Sequence, residues 1–490
     1  MVARTLKKLE KASSIFDVMT ILFQALTAEN ELKNISLHSS WLKSRKNAAD
    51  LALIVEMMSG HPAEDFIPGL EMLIQLYRTN RAIAVPLMVE TLLLFDNELS
   101  ELTGDRQRRQ VNRGPMNGNA CQRQEKAYLY LSPDNALQGP FLAANKLRRG
   151  GKRLLPHPSG LHGKLENFTV LPRNKLSGLV PEISAYYFSE AAQEHLREGP
   201  VRIAVFPFGG SRWFDWPHAD NGREFDIAFT PEQDDAAAEA CICALKLAEQ
   251  RQADLVIFPE MAFSPKAKEQ VQAYLRANAL KTRHIKLIFA GTTWINRENT
   301  AYILNVSGRT LLTQKKREPV DFYDKETQIS LRERLKDSPG RLRLLDAAGL
   351  GRIVYAVCRD FIAAENALIW GGHLEAGFAA ASCYTPELNP FFNTAESMAK
   401  QYGTVSLVCN ACASPRERAG LCADTDVGFL TVPACGQDRR LTCQTTVYRP
   451  LGDSCEKGEC PLCGCAYFYT ITRRPEEADA LSVSLDPQGL

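Results

Sequence analysis

The chain has 490 residues, 58 of them Lys or Arg and 57 Asp or Glu, so its formal net charge is +1 at neutral pH. That balance excludes a molecule built as a whole to hold nucleic acid, while leaving room for a local basic patch. Apolar residues make up 45% and charged residues 23%, the mix of an ordinary globular protein, and at roughly 150 residues per domain the length implies two to four domains.

No apolar run approaches the roughly 18 residues that a bilayer requires. The best stretch, Ala82 to Phe95, carries Pro86 and Glu90. Lys7, Lys8 and Lys11 lie near the start without the apolar core and small-residue cleavage site of a secretory signal. The simplest expectation is a cytoplasmic protein with no membrane partner. Of the 14 cysteines only Cys121 precedes residue 241, and ten lie from Cys383 onward. A disulfide scaffold belongs to short secreted chains, so thiol chemistry or a metal is the better expectation for some of them.

Residues 1–103 read as a helical bundle or helical repeats. Leu9, Ala12, Phe16, Met19, Phe23 and Leu26 recur in steps of three and four, the spacing of one helix face. Ala52 to Met58, Phe66 to Tyr77 and Val85 to Phe95 behave alike, and Gly60-His61-Pro62 breaks the pattern. Nothing there has the look of a catalytic site. Residues 104–200 form a basic linker or accessory region. Between 104 and 165, twelve Lys and Arg face only Asp105, Glu125 and Asp134. Two readings stay open: a solvated linker, or a surface that docks phosphate or nucleic acid, with Tyr128 and Tyr130 offering ring faces to bases.

From residue 201 short apolar strands alternate with helices, which means an α/β layered domain, taken here as 201–440. Strands are expected at Val201–Phe206, Leu255–Phe258, Lys286–Ala290, Ala301–Val306, Arg352–Val357 and Val405–Val408. Helices are expected at Asp234–Gln250 and Pro265–Asn278.

Three segments of this domain carry chemistry. Leu255-Val-Ile-Phe-Pro-Glu260 ends a strand at a proline and presents a carboxylate. Gly308 leads through a short run to Lys315 and Lys316, and Ile353-Val-Tyr-Ala-Val-Cys358 ends an apolar strand in a thiol. Taken singly, such a glutamate or lysine is an ordinary surface residue and such a cysteine a small buried hydrophobe. Together they put a base, a cation and a nucleophile after strands of one α/β domain, where such sheets place active sites.

With these residues the segment from about 201 to 412 resembles the nitrilase, or carbon–nitrogen hydrolase, superfamily, which uses a Glu–Lys–Cys triad in this chain order. The resemblance implies catalytic roles for Glu260, Lys316 (rather than Lys315) and Cys358. It implies a second glutamate between the lysine and the cysteine, with Glu326 the candidate and Glu318 its rival. It also implies substrate-binding positions at Asp360, two residues after the cysteine, and Asn410, which ends a late strand. The implied fold is an α-β-β-α sandwich, the implied assembly a homo-oligomer, and the implied substrate a small amide or nitrile. Two departures, Pro207 in place of a glutamine and Phe361-Ile-Ala-Ala-Glu365 in place of a Phe-Pro-Glu run, leave the substrate itself open.

The chemistry needs these residue types. A free thiol has a pKa of about 8.5, so a base or cation must help form the thiolate. An ammonium beside the reacting carbon holds the oxyanion. Catalysis of this kind uses no cofactor. The same thioester also serves N-acyl transfer if an amine, not water, reaches it. A module of this kind joined to extra domains occurs in bacterial antiviral defence systems, so a sensor or scaffold role is the alternative from another class.

Residues 441–490 form a Cys-rich tail. Cys460-Pro-Leu-Cys463-Gly has the shape of a zinc-ribbon knuckle, where Pro and Gly permit the tight turn that points two sulfurs at one ion. Cys455 and Cys465 flank it, and Cys443, or Cys409 with Cys412, are further candidates. Either the cluster holds a structural zinc or its thiols are reduced and unligated.

Overall fold

The computed structural model describes residues 1–28, 31–59, 66–110, 121–123, 127–131, 148–149, 152–153, 161, 165, 168–172, 176, 178–209, 214–217, 222–324, 328–336, 340–385, 387–411, 426–435, 441–448, 466–473 and 481–487. The chain divides into two units, Met1–Asn135 with Leu155–Gly178, and Ala136–Leu154 with Leu179–Leu490.

The first unit holds helices α1 (Val2–Leu9), α2 (Ile15–Ala28), α3 (Glu31–Trp41), α4 (Ala48–Ser59), α5 (Phe66–Thr79) and α6 (Ala84–Gln110). The single periodic run expected from Leu9 to Leu26 is two helices. Ser13 donates backbone and hydroxyl hydrogens to Asp17, at 2.9 and 2.7 Å, and the Ser14 hydroxyl accepts the Asp17 N–H at 3.2 Å, so a new helix is capped there. Leu9, Val18, Leu22, Val55, Leu73, Leu92 and Phe95 meet in one apolar core. Strands β1 (Cys121–Arg123) and β2 (Ala127–Leu131) follow. The two-residue β3 (Arg148–Arg149) and β4 (Lys152–Arg153) come next in the chain, then β5 (Phe168–Pro172). An antiparallel sheet of order β1-β2-β5 contains Tyr128 and Tyr130 in its middle strand.

The second unit continues with β6 (Val180–Tyr186), α7 (Glu190–Glu198), β7 (Val201–Val205), β8 (Glu224–Phe225), α8 (Pro231–Gln250), β9 (Leu255–Ile257), α9 (Pro265–Asn278), β10 (Leu287–Ile295), β11 (Glu298–Leu304) and β12 (Thr310–Lys315). Next come β13 (Asp321–Asp324), β14 (Ile329–Glu333), β15 (Arg341–Ala347), β16 (Gly351–Val357), α10 (Arg359–Ile362), α11 (Ala364–Ala367), a π-helical turn at Leu368–His373, and β17 (Phe378–Cys383). Last are α12 (Asn389–Tyr402), β18 (Val405–Asn410), β19 (Gly428–Cys435), β20 (Leu441–Tyr448), β21 (Tyr467–Arg473) and β22 (Leu481–Pro487).

Two seven-stranded sheets result, of order β12-β11-β10-β9-β7-β21-β22 and β20-β19-β18-β17-β16-β15-β6. Each has a parallel centre, β7, β9 and β10 in one and β16, β17 and β18 in the other. Antiparallel strands flank both centres. Parallel strands are buried on both faces, which is why Leu255-Val-Ile reads as an unbroken apolar run.

Helix α8 starts three residues before its expected position. Thr230 and Gln233 form a reciprocal capping box and Pro231 occupies the first turn. At α9 the Ser264 hydroxyl accepts the Ala267 N–H and Pro265 occupies the first turn, without the reciprocal bond. Ala240, Ala244 and Ala248 of α8 and Val271 and Leu275 of α9 pack on Val256 and Ile288 of the first sheet. Phe392 of α12 stacks on Phe429 of the second sheet at 4.2 Å. Between the sheets, the Phe289 ring lies 5.2 Å from Tyr355 and 5.9 Å from Phe378, and Tyr448 lies 4.7 Å from Tyr467. Helices therefore cover two sheets packed face to face, the expected α-β-β-α order. The segment read as a linker up to 200 and the tail read from 441 both supply strands to these sheets: β6 in the former, β20, β21 and β22 in the latter. No helix among the described residues is long and apolar enough to cross a membrane.

Candidate active site

The strand ends of the two sheets are joined by a short chain of hydrogen bonds. Ser382, near the end of β17, accepts the Cys358 N–H on its carbonyl at 2.9 Å and donates its hydroxyl to the Phe258 carbonyl at 2.6 Å. Its hydroxyl also meets Tyr355 at 2.6 Å, and Tyr355 accepts the Gly291 N–H at 2.9 Å. The next residue, Cys383, accepts the Glu260 N–H at 3.4 Å. Through Ser382 and Cys383, the backbones of Glu260 and Cys358 are fixed to the same stretch of β17.

Glu260 and Lys316 are both buried and form an ion pair, Nζ to Oε1 at 2.9 Å. Lys316 follows β12 and donates its backbone N–H to the Asn299 carbonyl at 2.8 Å. Its ammonium meets a second buried carboxylate, Oε2 of Glu333, at 2.7 Å. Asn299 donates its side-chain N–H to Glu260 at 2.8 Å and to Glu333 at 3.4 Å. One ammonium thus lies between two carboxylates. Lys315 points elsewhere and pairs with Glu298 at 2.7 Å near the surface, as strand alternation requires.

Burial pushes the Glu260 carboxyl above its ordinary range; the Lys316 ammonium opposes this and the Glu333 carboxylate adds to it. Burial alone would lower the Lys316 ammonium. The negative charges of Glu260, Glu333 and, where it is ionised, Cys358 outweigh it and hold the ammonium well above its usual value. Lys316 stays charged while one carboxylate keeps a raised affinity for a proton, the state a general base requires. Cys358 is 3% exposed and has φ 44° and ψ −113°, a left-handed conformation at the point where β16 turns into α10. Strain of this kind gathers at functional sites.

The other expected site residues fall out differently. Asp360, expected to bind substrate, is buried and accepts the N–H of Glu318 at 2.8 Å and of Arg317 at 3.2 Å. Asn410, also expected to bind substrate, is occupied by Thr385, accepting its N–H at 2.9 Å and donating to its carbonyl at 2.8 Å. In this structure both side chains hold backbone, Asp360 the chain just past Lys316 and Asn410 the loop just past Cys383. Glu318, the rival second glutamate, touches Asp360 through its backbone. Glu326 lies outside the described residues, as do Cys455, Cys460, Cys463, Cys465 and most of the basic stretch 104–165. Among the described residues no group of three or more His, Cys, Asp or Glu is placed to hold a metal ion. Cys409 is buried in β18, its sulfur 4.0 Å from the Ile257 carbonyl.

Sequence reasoning missed Glu333, Asn299, Ser382 and Cys383. A signal existed for Glu333. Along β14 only Leu331 and Glu333 are buried, so the glutamate shares the inward face with a leucine. An alternating strand Ile329-Ser-Leu-Arg-Glu that turns a carboxylate inward marks a charge with a partner.

No family model and no curated protein matches the chain. Solved structures do match it in part. A glutamine-dependent NAD+ synthetase from Acinetobacter baumannii is 13% identical over 59% of this chain and 48% of its own, with a TM-score of 0.35, so the chain spans about half of that protein. Nit3 of Saccharomyces cerevisiae, a member of branch 10 of the nitrilase superfamily, is 15% identical over 50% of this chain and 89% of its own, with a TM-score of 0.33. A carbon-nitrogen hydrolase from Helicobacter pylori is 14% identical over 51% and 82%, with a TM-score of 0.31.

Proposed function

We infer that the chain is a thiol-dependent hydrolase of small, non-peptide amides or nitriles, acting through a thioester on Cys358. One observation carries the reading: a buried lysine held between two carboxylates, within electrostatic reach of a cysteine in strained backbone.

In this reading Glu260 takes the thiol proton and the Cys358 sulfur attacks the amide carbon. The carbonyl π bond opens, and the resulting oxyanion is held by the Lys316 ammonium and the N–H of Arg359. The oxyanion collapses, the carbon–nitrogen bond breaks, and Glu260 returns the proton to the departing amine. Glu260 then takes a proton from water, whose oxygen attacks the thioester and releases the acid and the thiol. Glu333 keeps Lys316 charged and in place throughout, and Asn299 orients both carboxylates.

The test is mass spectrometry of the full chain after exposure to a panel of small amides and nitriles and to a cell extract. The tryptic peptide Ile353–Arg359 contains Cys358 as its sole cysteine, so an acyl adduct there is directly assignable. The expected result is an acyl mass on this peptide, with amine or ammonia released and no adduct in Cys358→Ala. A folded chain that never carries an acyl group at Cys358 under these conditions would favour the sensor or scaffold alternative.

A further inference from the structure

We propose that Cys383 is a resolving thiol for Cys358: in the presence of a hydroperoxide the two close a reversible disulfide that blocks and protects the nucleophile. The proposal rests on Cys358 being the reactive thiol of the site.

The two cysteines are brought together by strand pairing. β16 and β17 run parallel with Val357 opposite Ser382, so the next residues along, Cys358 and Cys383, are neighbours across the ladder. The Cys358 N–H bonded to the Ser382 carbonyl at 2.9 Å extends that pairing to the cysteine itself. Adjacent strands lie about 4.8 Å apart, inside the roughly 4.4–6.8 Å between Cα atoms that a disulfide accepts. The two side chains are close enough that Cys358 bears on the ionisation of Cys383. Cys383 is fully buried, and its thiol is pushed well up, first by burial and then by the neighbouring Cys358, so at rest it stays protonated and inert. Nothing in the hydrolytic cycle uses it.

The chemistry balances with one hydroperoxide. The Cys358 thiolate attacks the outer peroxide oxygen, the O–O bond breaks, and the departing oxygen takes a proton and leaves as water or alcohol. Cys358 is then a sulfenic acid. The Cys383 sulfur attacks the Cys358 sulfur, the S–O bond breaks, and the hydroxyl leaves as water with the Cys383 proton. Two thiols are oxidised and one peroxide is reduced. A small thiol or dithiol reverses the bond, whereas a lone sulfenic acid continues to the sulfinic state, which such reductants do not reverse.

The experiment exposes the full chain to hydrogen peroxide, alkylates it under denaturing conditions and maps tryptic peptides. Cys358 lies alone in Ile353–Arg359 and Cys383 alone in Asp360–Lys400, so a link between them has a distinct mass. The expected result is that linked pair, lost on treatment with dithiothreitol, with Cys358 again alkylable. In Cys383→Ala the same dose should instead drive Cys358 to sulfinic acid, with alkylation after dithiothreitol at least several-fold below wild type. Peroxide that takes wild-type Cys358 to sulfinic acid as fast as in the variant overturns the proposal while leaving Cys358 a reactive nucleophile. Peroxide that oxidises Cys243 and Cys443 while Cys358 stays reduced overturns the proposal and counts against the nucleophile as well. The wild-type linkage is readable whether or not the variant folds.

Discussion

Oε2 of Glu333 accepts from the Lys316 ammonium at 2.7 Å and from the Val320 N–H at 3.0 Å, so the carboxylate ties the lysine to the backbone leading into β13. Glu333→Gln keeps the shape and removes one charge. That charge helps raise the Glu260 carboxyl, so its loss should lower the Glu260 pKa and move the acid limb of kcat/KM to lower pH, alongside a fall in kcat. Glu326→Gln should leave the pH profile in place. A profile that follows Glu326 and ignores Glu333 would reverse the assignment.

The two adjacent lysines should separate cleanly. Lys316→Ala leaves two buried carboxylates facing each other without their cation, which costs about 3–5 kcal/mol of stability. On the proposed mechanism it also removes an oxyanion donor worth about 3 kcal/mol of barrier, a rate loss on the order of 100-fold or more. Lys315 makes a partly exposed pair with Glu298, the kind worth roughly 0–1 kcal/mol, so Lys315→Ala should be nearly silent in melting and in turnover. Equal losses in both variants would mean that the cation of the site is misassigned.

The legible and illegible parts of this molecule divide along physical lines. Leu255–Ile257, Val201–Val205 and Gly351–Val357 were readable because buried parallel strands are rich in apolar residues, broken in these three only by Arg202 and Arg352, and Pro259 and Cys358 follow them where chemistry begins. β17 was not, because Phe378-Ala-Ala-Ala-Ser-Cys has a helix former's composition and acquires its strand form from neighbours on both sides. With β17 unread, Ser382 and Cys383 could not be placed beside Cys358. Glu260 and Lys316 were readable as motifs, whereas the second carboxylate left only the alternation of β14 as a signal, because its distance along the chain is set by the β13–β14 hairpin, a tertiary feature. Asp360 and Asn410 were found as positions, and only their hydrogen bonds showed that they hold backbone.

The zinc expectation for Cys455, Cys460, Cys463 and Cys465 is tested by elemental analysis of protein purified without chelator. One four-cysteine site would give about one zinc per chain. Protein that is free of zinc while its thiols titrate as reduced would end the idea.

Asp360 makes stability depend on pH in a defined direction. Burial raises its carboxyl to about 6 from the ordinary 3.8. The folded chain therefore holds a proton that the unfolded chain has released between these values. The stabilising contribution is complete below about pH 4 and is lost as pH rises through 6, a change of about 3 kcal/mol for a shift of about two units. Asp360→Asn has no proton to lose. From pH 4 to 6.5 the wild-type thermal midpoint should fall relative to that of the variant. Midpoints that run parallel over this range would show that Asp360 titrates alike in both states.

Cys358 is held at φ 44°, a conformation that glycine enters freely and other residues enter at a cost on the order of 1–3 kcal/mol. Alanine in its place keeps the Cβ and therefore the strain. Glycine relieves it, offset by roughly 0.5–1 kcal/mol for the greater freedom of the unfolded chain. Both Cys358→Ala and Cys358→Gly should lose turnover, since neither has a nucleophile. They should differ in stability: the glycine variant should melt higher than the alanine variant by about 2 °C for each kcal/mol of strain left after that offset. If alanine proves the more stable, the backbone at this turn is not strained. The reading of Cys358 as a residue held against its own preference, by the Ser382 carbonyl on one side and the turn into α10 on the other, would then be withdrawn.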